Sequence, residues 1–154
     1  MRKTLFTAFA IWLTDLLTKL WAIAHFSDGP QEIIGSLLRF TLIRNSGAAF
    51  SFATGATVFL TALSLSVALA IIYYLPRITA PGWRLVAALV LGGVSGNLTD
   101  RFFRDPGFFI GSVIDWIQIP NWPVFNIADS SIVIAGVIGF VLSVRNIPLI
   151  TPLK

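Results

Sequence analysis

The acidic side chains of this chain are few, and four of them lie in or beside long apolar segments. The sequence has 154 residues, seven of them Asp or Glu, and the four are Asp15, Asp100, Asp115 and Asp129. When two carboxyl groups are held close together, repulsion between their charges makes ionisation of both unfavourable, so one of them keeps a proton at neutral pH. The ionised group can then take a proton from water while the protonated group polarises a carbonyl. Such a pair is sufficient for the hydrolysis of an amide bond.

Composition narrows the chemistry further. Cysteine is absent and His25 is the single histidine, which excludes a thiol nucleophile, a disulfide and a histidine-rich zinc site. A Ser–His triad is disfavoured because His25 lies at the edge of an apolar segment. The net charge of +4 comes from basic residues scattered at the ends of apolar segments and not arranged in a stripe. We therefore expect no nucleic-acid partner.

The apolar segments are too long for a soluble domain of this size. Hydrophobic residues make up 56% of the chain and charged residues 12%, whereas a soluble domain carries about 25% charged residues. A helix that crosses a bilayer needs about 20 apolar residues. We predict one membrane domain over residues 1–154 with four transmembrane helices, at about 5–24, 53–75, 83–98 and 125–144. Charged residues interrupt the first segment, so we favour a retained span there over a cleaved export signal.

The basic residues predict the orientation of the chain. If both termini lie on one side of the membrane, that side carries six basic residues and no carboxylate side chain. The six are Arg2, Lys3, Arg77, Arg84, Arg145 and Lys154. Because loops rich in Lys and Arg stay in the cytoplasm, we predict that both termini are cytoplasmic. The outer side then holds two segments, at about 25–52 and 99–124.

This layout brings the four carboxylates to the outer surface. Asp15 lies about 18 Å along the first helix from Lys3, at a rise of about 1.5 Å per residue, and so past the midplane of the bilayer. Asp100 ends the third span, Asp129 begins the fourth, and Asp115 lies in the outer segment between them. All four are therefore expected at a similar depth.

Each of these charges also has a purely structural interpretation. Asp15 and Lys19 are one helical turn apart and can form an ion pair, which we favour over a chemical role for them. Asp100 is followed by Arg101 and can form a pair that holds the end of the third span. Asp129 can be an ordinary acid at a helix start, where the macrodipole favours it.

Two further segments bear on the fold. Residues 38–44 are bulky and apolar but are interrupted by two arginines, which predicts a strand or an interfacial ribbon. The fold class is thus an all-α membrane protein with a small extracytoplasmic segment that contains strands or lies at the interface. Gly92 and Gly96 have the small-residue spacing of close helix contacts in membranes.

Two other classes of function fit part of this pattern. A small ion-coupled membrane transporter also uses acids within the membrane, but it would spread charge across the whole depth. A non-catalytic lipid-binding or assembly subunit needs no paired carboxylates. The concentration of acids at one depth favours an enzyme over both.

Four blocks of the sequence resemble one known family, the bacterial lipoprotein signal peptidases or signal peptidase II. Their joint order and spacing carry the resemblance, which covers nearly the whole chain. The blocks are Asp15–Lys19, Asn45–Phe52, Gly92–Arg101, and Val113–Ile117 together with Phe125–Asp129.

The resemblance implies an aspartic endopeptidase of the bacterial inner membrane that removes signal peptides from prolipoproteins. It implies cleavage before a diacylglyceryl-modified cysteine, an active site toward the outer face, inhibition by the cyclic peptide globomycin, and no metal or organic cofactor. The partners are then the lipid-modified prolipoprotein and membrane lipids. The implied catalytic residues are Asp115 and Asp129. The implied supporting residues are Asp15, Lys19, Asn45, Gly47, Asn97, Asp100, Arg101 and Asn126.

The orientation can be tested by labelling. We expect single cysteines introduced at Thr79 and at Asp28 to react with a membrane-impermeant maleimide from opposite sides of the membrane, because the charge bias places the two positions on opposite faces. Labelling of both positions from the same side would refute the arrangement of four spans.

Overall fold

The computed structural model describes residues 1–47 and 53–150 and consists of four long helices and a small sheet. Residues 48–52, which belong to the second block of the resemblance, lie outside the described residues. The helices are α1 Arg2–His25, α2 Ala53–Tyr74, α3 Pro81–Phe103 and α4 Ile127–Val144. The strands are β1 Gln31–Ile34, β2 Leu38–Asn45 and β3 Val113–Gln118, and a short 3-10 turn, Leu75–Arg77, follows α2.

The helices begin and end within about three residues of the predicted apolar segments, except at the end of the third. The third was expected to end near residue 98, whereas α3 continues to Phe103 and carries Asp100 and Arg101 on a regular helix. Three helical segments are long and apolar enough to cross a membrane within the described ranges, namely Arg2–His25, Ala56–Arg77 and Ile127–Val144. The chain is therefore a mostly helical membrane protein with several spans. A fourth crossing by α3 stays a prediction.

Helix α3 lies at the centre of the bundle and contacts the other three long helices. Its small residues allow this. A Cβ atom on Gly92 would lie 2.7 Å from the carbonyl oxygen of Ala8 in α1, and one on Gly93 would lie 2.5 Å from the carbonyl oxygen of Ala128 in α4. Gly96, one turn beyond Gly92, lies against α1 as well. The close helix contact predicted from this glycine spacing is confirmed.

The three strands form an antiparallel sheet in the order β1-β2-β3. Asn45 pairs with Val113 and Arg39 with Gln118, with a register irregularity between Phe40 and Ile43. Residues 38–44, for which the sequence left a strand or an interfacial ribbon open, form a strand, β2. Strand β3 is enclosed on both sides over its first four residues, so its sequence lacks the alternation by which a half-buried strand is identified.

An aromatic cluster fixes the sheet to the end of α1. The ring centroids of Trp21 and Trp116 are 5.5 Å apart and those of Phe40 and Trp116 are 5.0 Å apart, both with edge-to-face geometry. Buried Ala22 and Phe26 complete this cluster. Edge-to-face pairs are a favourable arrangement of aromatic rings, so the cluster holds β3 in a defined position over the bundle.

We expect Gly93→Ala to destabilise the protein. The new methyl group would overlap a backbone carbonyl of α4 that cannot move aside, and overpacking of this kind costs about 1–3 kcal/mol. Thermal unfolding in detergent would show a lower midpoint. Gly136→Ala is the matched control, because a Cβ atom there meets nothing within 4 Å. Equal midpoints for the two variants would contradict the packing described for α3.

Candidate active site

Asp115 lies in the middle of β3 and is almost fully buried, with 2% of its surface exposed. The side-chain amide of Asn45, on the neighbouring strand, donates to Asp115 Oδ2 at 2.9 Å. The side-chain amide of Asn126 donates to Asp115 Oδ1 at 2.7 Å. Each carboxyl oxygen of Asp115 thus accepts a hydrogen bond from a neutral amide.

Gly47 holds Asn45 in this orientation. The backbone N–H of Gly47 donates to Asn45 Oδ1 at 2.8 Å, which turns the amide nitrogen of Asn45 toward Asp115. This tight turn places Gly47 at φ +85°, a conformation that side chains other than glycine rarely adopt. A Cβ atom there would also lie 2.9 Å from Leu60 Cδ1.

Asp129 begins α4 as the third residue after its N-cap, Asn126. The backbone N–H of Asp129 donates to Asn126 Oδ1 at 2.8 Å, and the backbone N–H of Asn126 donates to Asp129 Oδ2 at 3.2 Å. This reciprocal pair is a capping box. The structural interpretation of Asp129 as a helix-start acid is therefore confirmed, but the cap does not occupy its other oxygen. Asp129 Oδ1 accepts from the side-chain amide of Asn97 at 2.8 Å.

Asn126 connects the two aspartates directly. Its side-chain amide binds Asp115 while its backbone amide binds Asp129, so one residue bonds both carboxyl groups. The same side-chain nitrogen lies 3.3 Å from Asn97 Oδ1. Asn126 is fully buried, which keeps these bonds away from competing water.

Behind the two aspartates, the ammonium group of Lys19 is fully buried among polar groups. Its Nζ lies 2.7 Å from Asp15 Oδ2, 2.8 Å from Asp100 Oδ2 and 3.0 Å from Asn97 Oδ1. A lysine ammonium has three N–H donors, and the three oxygens match them in number. The ion pair predicted between Asp15 and Lys19 is confirmed, and Asp100 completes it.

The two carboxylates that bind Lys19 also hold the segments that carry Asp115 and Asp129. Asp15 Oδ1 accepts from the backbone N–H of Ala128 at 2.9 Å, the residue just before Asp129. Asp100 Oδ2 accepts from the backbone N–H of Ile114 at 3.1 Å, the residue just before Asp115. The Lys19 cluster therefore positions both aspartates through the backbone.

At the end of α3, the ion pair predicted between Asp100 and Arg101 does not form, and Asp100 pairs with another arginine. Asp100 forms its second ion pair with Arg104 and not with Arg101, because side chains four residues apart share a helix face whereas adjacent ones diverge. Arg101 donates to the carbonyl oxygens of Gly111 at 2.8 Å and Asn45 at 3.2 Å. It thereby joins the two outer segments to α3.

Burial raises the pKa of Asp115 to about 6 from an ordinary value of 3.8. Loss of solvation is the largest cause, and the negative charge of Asp129 raises the pKa further, while the hydrogen bonds from Asn45 and Asn126 oppose the shift. Asp129 is only partly buried and accepts bonds at both of its oxygens. Asp115 is thus the carboxyl group whose environment favours the protonated form.

A cleft of about 280 Å³ opens beside Asp129 on the exposed face of α4. Apart from Asp129, it is lined by Ile119, Trp122, Phe125, Ser130, Val133 and Ile134. Most of these walls are apolar, so the cleft can take an apolar chain and place the atoms beside it against the carboxylate.

All ten residues predicted for the site belong to one connected network. The sequence did not indicate Arg104 or the backbone amides of Ile114 and Ala128, since an amide that any residue can supply leaves no signature in residue type. Within residues 1–47 and 53–150, no three His, Cys, Asp or Glu side chains are placed to hold a metal ion.

The fold and the site together define a class, a multi-pass helical membrane protein with two aspartates hydrogen-bonded to one asparagine at one end of its bundle. Comparison with known proteins then gives the family. The protein-family model described as signal peptidase (SPase) II matches residues 7–145 of the chain. The chain belongs to the signal peptidase II family.

Several relatives support this assignment. The chain is 44% identical over 144 residues to the lipoprotein signal peptidase of Mycolicibacterium smegmatis, covering 93% of this chain and 61% of that protein. It is 46% identical over 131 residues to the lipoprotein signal peptidase of Rhodococcus jostii, and the match covers 84% of this chain and 66% of that protein. It is 42% identical over 145 residues to the lipoprotein signal peptidase of Mycobacterium tuberculosis, and that match covers 94% of this chain and 72% of that protein. The chain thus spans less than two thirds of the length of the first two relatives.

Two solved structures share the fold. Both are described as bacterial membrane enzymes determined by the in meso method. One superposes with a TM-score of 0.83 at 24% identity and 94% coverage of each chain. The other gives a TM-score of 0.79 at 25% identity, with 100% of this chain and 96% of that one covered.

The raised pKa of Asp115 predicts how Asp115→Asn changes stability with pH. Near pH 4 and below, Asp115 is protonated in the folded protein and the asparagine mimics it, so the two proteins should be similarly stable. As pH rises through about 6, the folded protein must ionise a buried carboxyl group that the unfolded chain ionises at lower pH. The wild type therefore loses up to about 3 kcal/mol relative to the variant.

Thermal unfolding in detergent from acid to neutral pH measures this difference. Asp28→Asn, at an exposed position, controls for the loss of one charge and should show no such trend. A constant difference between wild type and Asp115→Asn at every pH would show that burial does not perturb Asp115.

Proposed function

We propose that this chain is a membrane aspartic endopeptidase that removes the signal peptide of prolipoproteins, cleaving before the diacylglyceryl-modified cysteine. The observation that carries the proposal is the placement of Asp115 and Asp129 on opposite sides of one asparagine, in a chain that belongs to the signal peptidase II family. Hydrolysis by two aspartates requires two carboxyl groups at one site whose environments favour different protonation states.

The environments of the two aspartates suggest how they divide the chemistry. Asp115 is the more buried and its pKa is raised, so it is the group that holds the proton and donates a hydrogen bond to the scissile carbonyl. Asp129, whose two oxygens accept N–H groups from Asn97 and Asn126, is the partner that takes a proton from the attacking water. The proton then passes to the leaving nitrogen as the C–N bond breaks.

The other site residues act on this pair without touching the reacting atoms. Asn45, Asn97 and Asn126 orient the two carboxyl groups through hydrogen bonds. The Lys19 cluster fixes the backbone that carries them. Arg101 and Gly47 hold the outer segments in place, and a role of Arg101 in binding substrate stays a prediction. A globomycin-type cyclic peptide would act by covering the two aspartates.

The position of the cleft suits a substrate that is anchored in lipid. It extends from Asp129 past Val133, about one helical turn along α4, between exposed apolar side chains. The lipid chains of the precursor could thus remain in the bilayer, where each buried methylene contributes about 0.8 kcal/mol, while the peptide bond reaches the pair. Membrane lipids and the lipidated precursor are the proposed partners.

We also propose that α3 is the fourth transmembrane helix. Its 23 residues span about 34 Å at a rise of about 1.5 Å per residue, which exceeds a hydrocarbon core of about 30 Å. Its polar residues lower its average hydropathy, but three other helices enclose them. With four crossings in the inner membrane, both termini are cytoplasmic and the aspartates face outward.

An ion-coupled transporter is not favoured by this arrangement. The buried ionisable side chains among the described residues all belong to the site network, and they are Asp15, Lys19, Asp100, Arg101 and Asp115. They gather at one end of the bundle and form no path toward the other end.

We expect Asp115→Asn and Asp129→Asn each to abolish cleavage of a purified lipidated prolipoprotein, because each removes one of the two proton positions that the mechanism uses. The rate should fall by at least about a thousandfold, in line with the loss of an essential acid–base group. Release of the signal peptide in detergent, followed by mass spectrometry, measures the rate.

Asp105→Asn is the matched control, since Asp105 is an exposed acid of the same outer segment, and it should cleave at the wild-type rate. The same precursor without its lipid serves as a second substrate and should be cleaved poorly. Substantial turnover by either dyad variant would refute the assignment of the pair, and equal rates on the two substrates would refute recognition of the lipid.

A further inference from the structure

A second cavity lies at the opposite end of the bundle from the aspartates, between the first turns of α1 and of α3. Its volume is about 300 Å³. We call it the basic cavity, and its lining includes Lys3, Thr4, Thr7, Arg84, Leu85 and Ala88. It shares no residue with the site network.

The charges around the basic cavity are all positive. Lys3 lines it from α1 and Arg84 from α3. Among the described residues, the cations that form ion pairs with carboxylate side chains are Lys19, Arg39 and Arg104. All three lie toward the other end of the protein. Within the part of the chain that the structure describes, the two cations of the cavity thus have no carboxylate partner.

The start of α3 adds to this positive potential. Pro81 is at the beginning of the helix and lines the basic cavity, and the N-cap, Ala80, has no side chain that could cap the helix. The uncapped first turn leaves the positive end of the helix dipole beside the cavity. Arg84 Nε donates to the carbonyl oxygen of Ile78 at 2.7 Å, which anchors the guanidinium group at the same place.

The chemistry of the lining changes with depth in a way that fits an amphiphile. Lys3 and Arg84 supply charge, whereas Leu85 and Ala88, the second of them one turn further along α3 than Arg84, are apolar. A free anion would use only the charged part. A phospholipid uses both, since its phosphate lies at the level of the helix ends and its acyl chains continue along apolar side chains.

We propose that the basic cavity binds the phosphate of an anionic phospholipid and so ties α1 to α3 at the basic end of the bundle. Basic pockets between transmembrane helices are a known way to recognise lipid headgroups. The site is separate from the aspartates, and the proposal stands whether or not the protein cleaves prolipoproteins.

The experiment uses the delipidated full chain in a neutral detergent. Phosphatidylglycerol, which is anionic, and phosphatidylcholine, which is zwitterionic, are added separately, and bound lipid is measured by native mass spectrometry. We expect selective retention of phosphatidylglycerol. Replacing both cations, in Lys3→Gln with Arg84→Gln, should weaken it about thirtyfold, and Lys3→Gln alone about fivefold, since each cation that lines the cavity and lies beside the phosphate contributes a similar increment.

The matched control is Arg77→Gln with Arg145→Gln, which removes two charges from the same end of the bundle without touching the lining of the cavity. It should retain phosphatidylglycerol as the wild type does. The proposal is overturned if this control loses as much lipid as the cavity variant, if phosphatidylcholine is retained equally, or if inorganic phosphate displaces the lipid, which would indicate a site for a free anion.

Discussion

The ion cluster around the buried ammonium group of Lys19 is the interaction on which the half of this protein that carries the aspartates depends. Removing a charge from water costs several kcal/mol per ion, and the cost is offset only where the geometry is good and every donor has a partner. The Nζ atom of Lys19 lies within 3.0 Å of oxygens of Asp15, Asp100 and Asn97, so two carboxylates and an amide oxygen offset that cost. Loss of Lys19 would leave the buried carboxylate of Asp15 without its cationic partner, so the cluster has little freedom to rearrange.

The packing of the helices and the geometry of the site are consequences of the same cluster. Gly96 has no side chain at the point where the carboxyl group of Asp15 lies against α3, and a Cβ atom there would be 3.0 Å from Asp15 Cγ. The helices can therefore approach closely enough for Lys19 to reach α3. The carboxylates of this cluster accept the backbone N–H groups of Ile114 and Ala128, the residues just before the two aspartates. Helix packing therefore sets the position of Asp115 on its strand and of Asp129 at the start of its helix.

Much of this could be predicted from the sequence, and the limits have physical reasons. The long apolar segments predicted the helices, and the four-residue spacing of Asp15 and Lys19 predicted their ion pair. The family resemblance implied the two aspartates, Asp115 and Asp129. The partner of Asp100 was predicted wrongly, since two cations follow it and only helix geometry selects Arg104. The strand around Asp115 was not identified, because burial on both sides removes its alternation. Backbone donors have no sequence signature at all.

The central proposal is that Asp115 and Asp129, which this framework bonds to the same asparagine, act together on the substrate as acid and base. The pH dependence of kcat/KM for cleavage of a lipidated precursor tests it most directly, because that profile reports the essential acid and base of the free enzyme. The account predicts a rate that falls on both sides of a maximum, with one proton responsible for each side. A rate that stays constant while both aspartates change from protonated to ionised would contradict it.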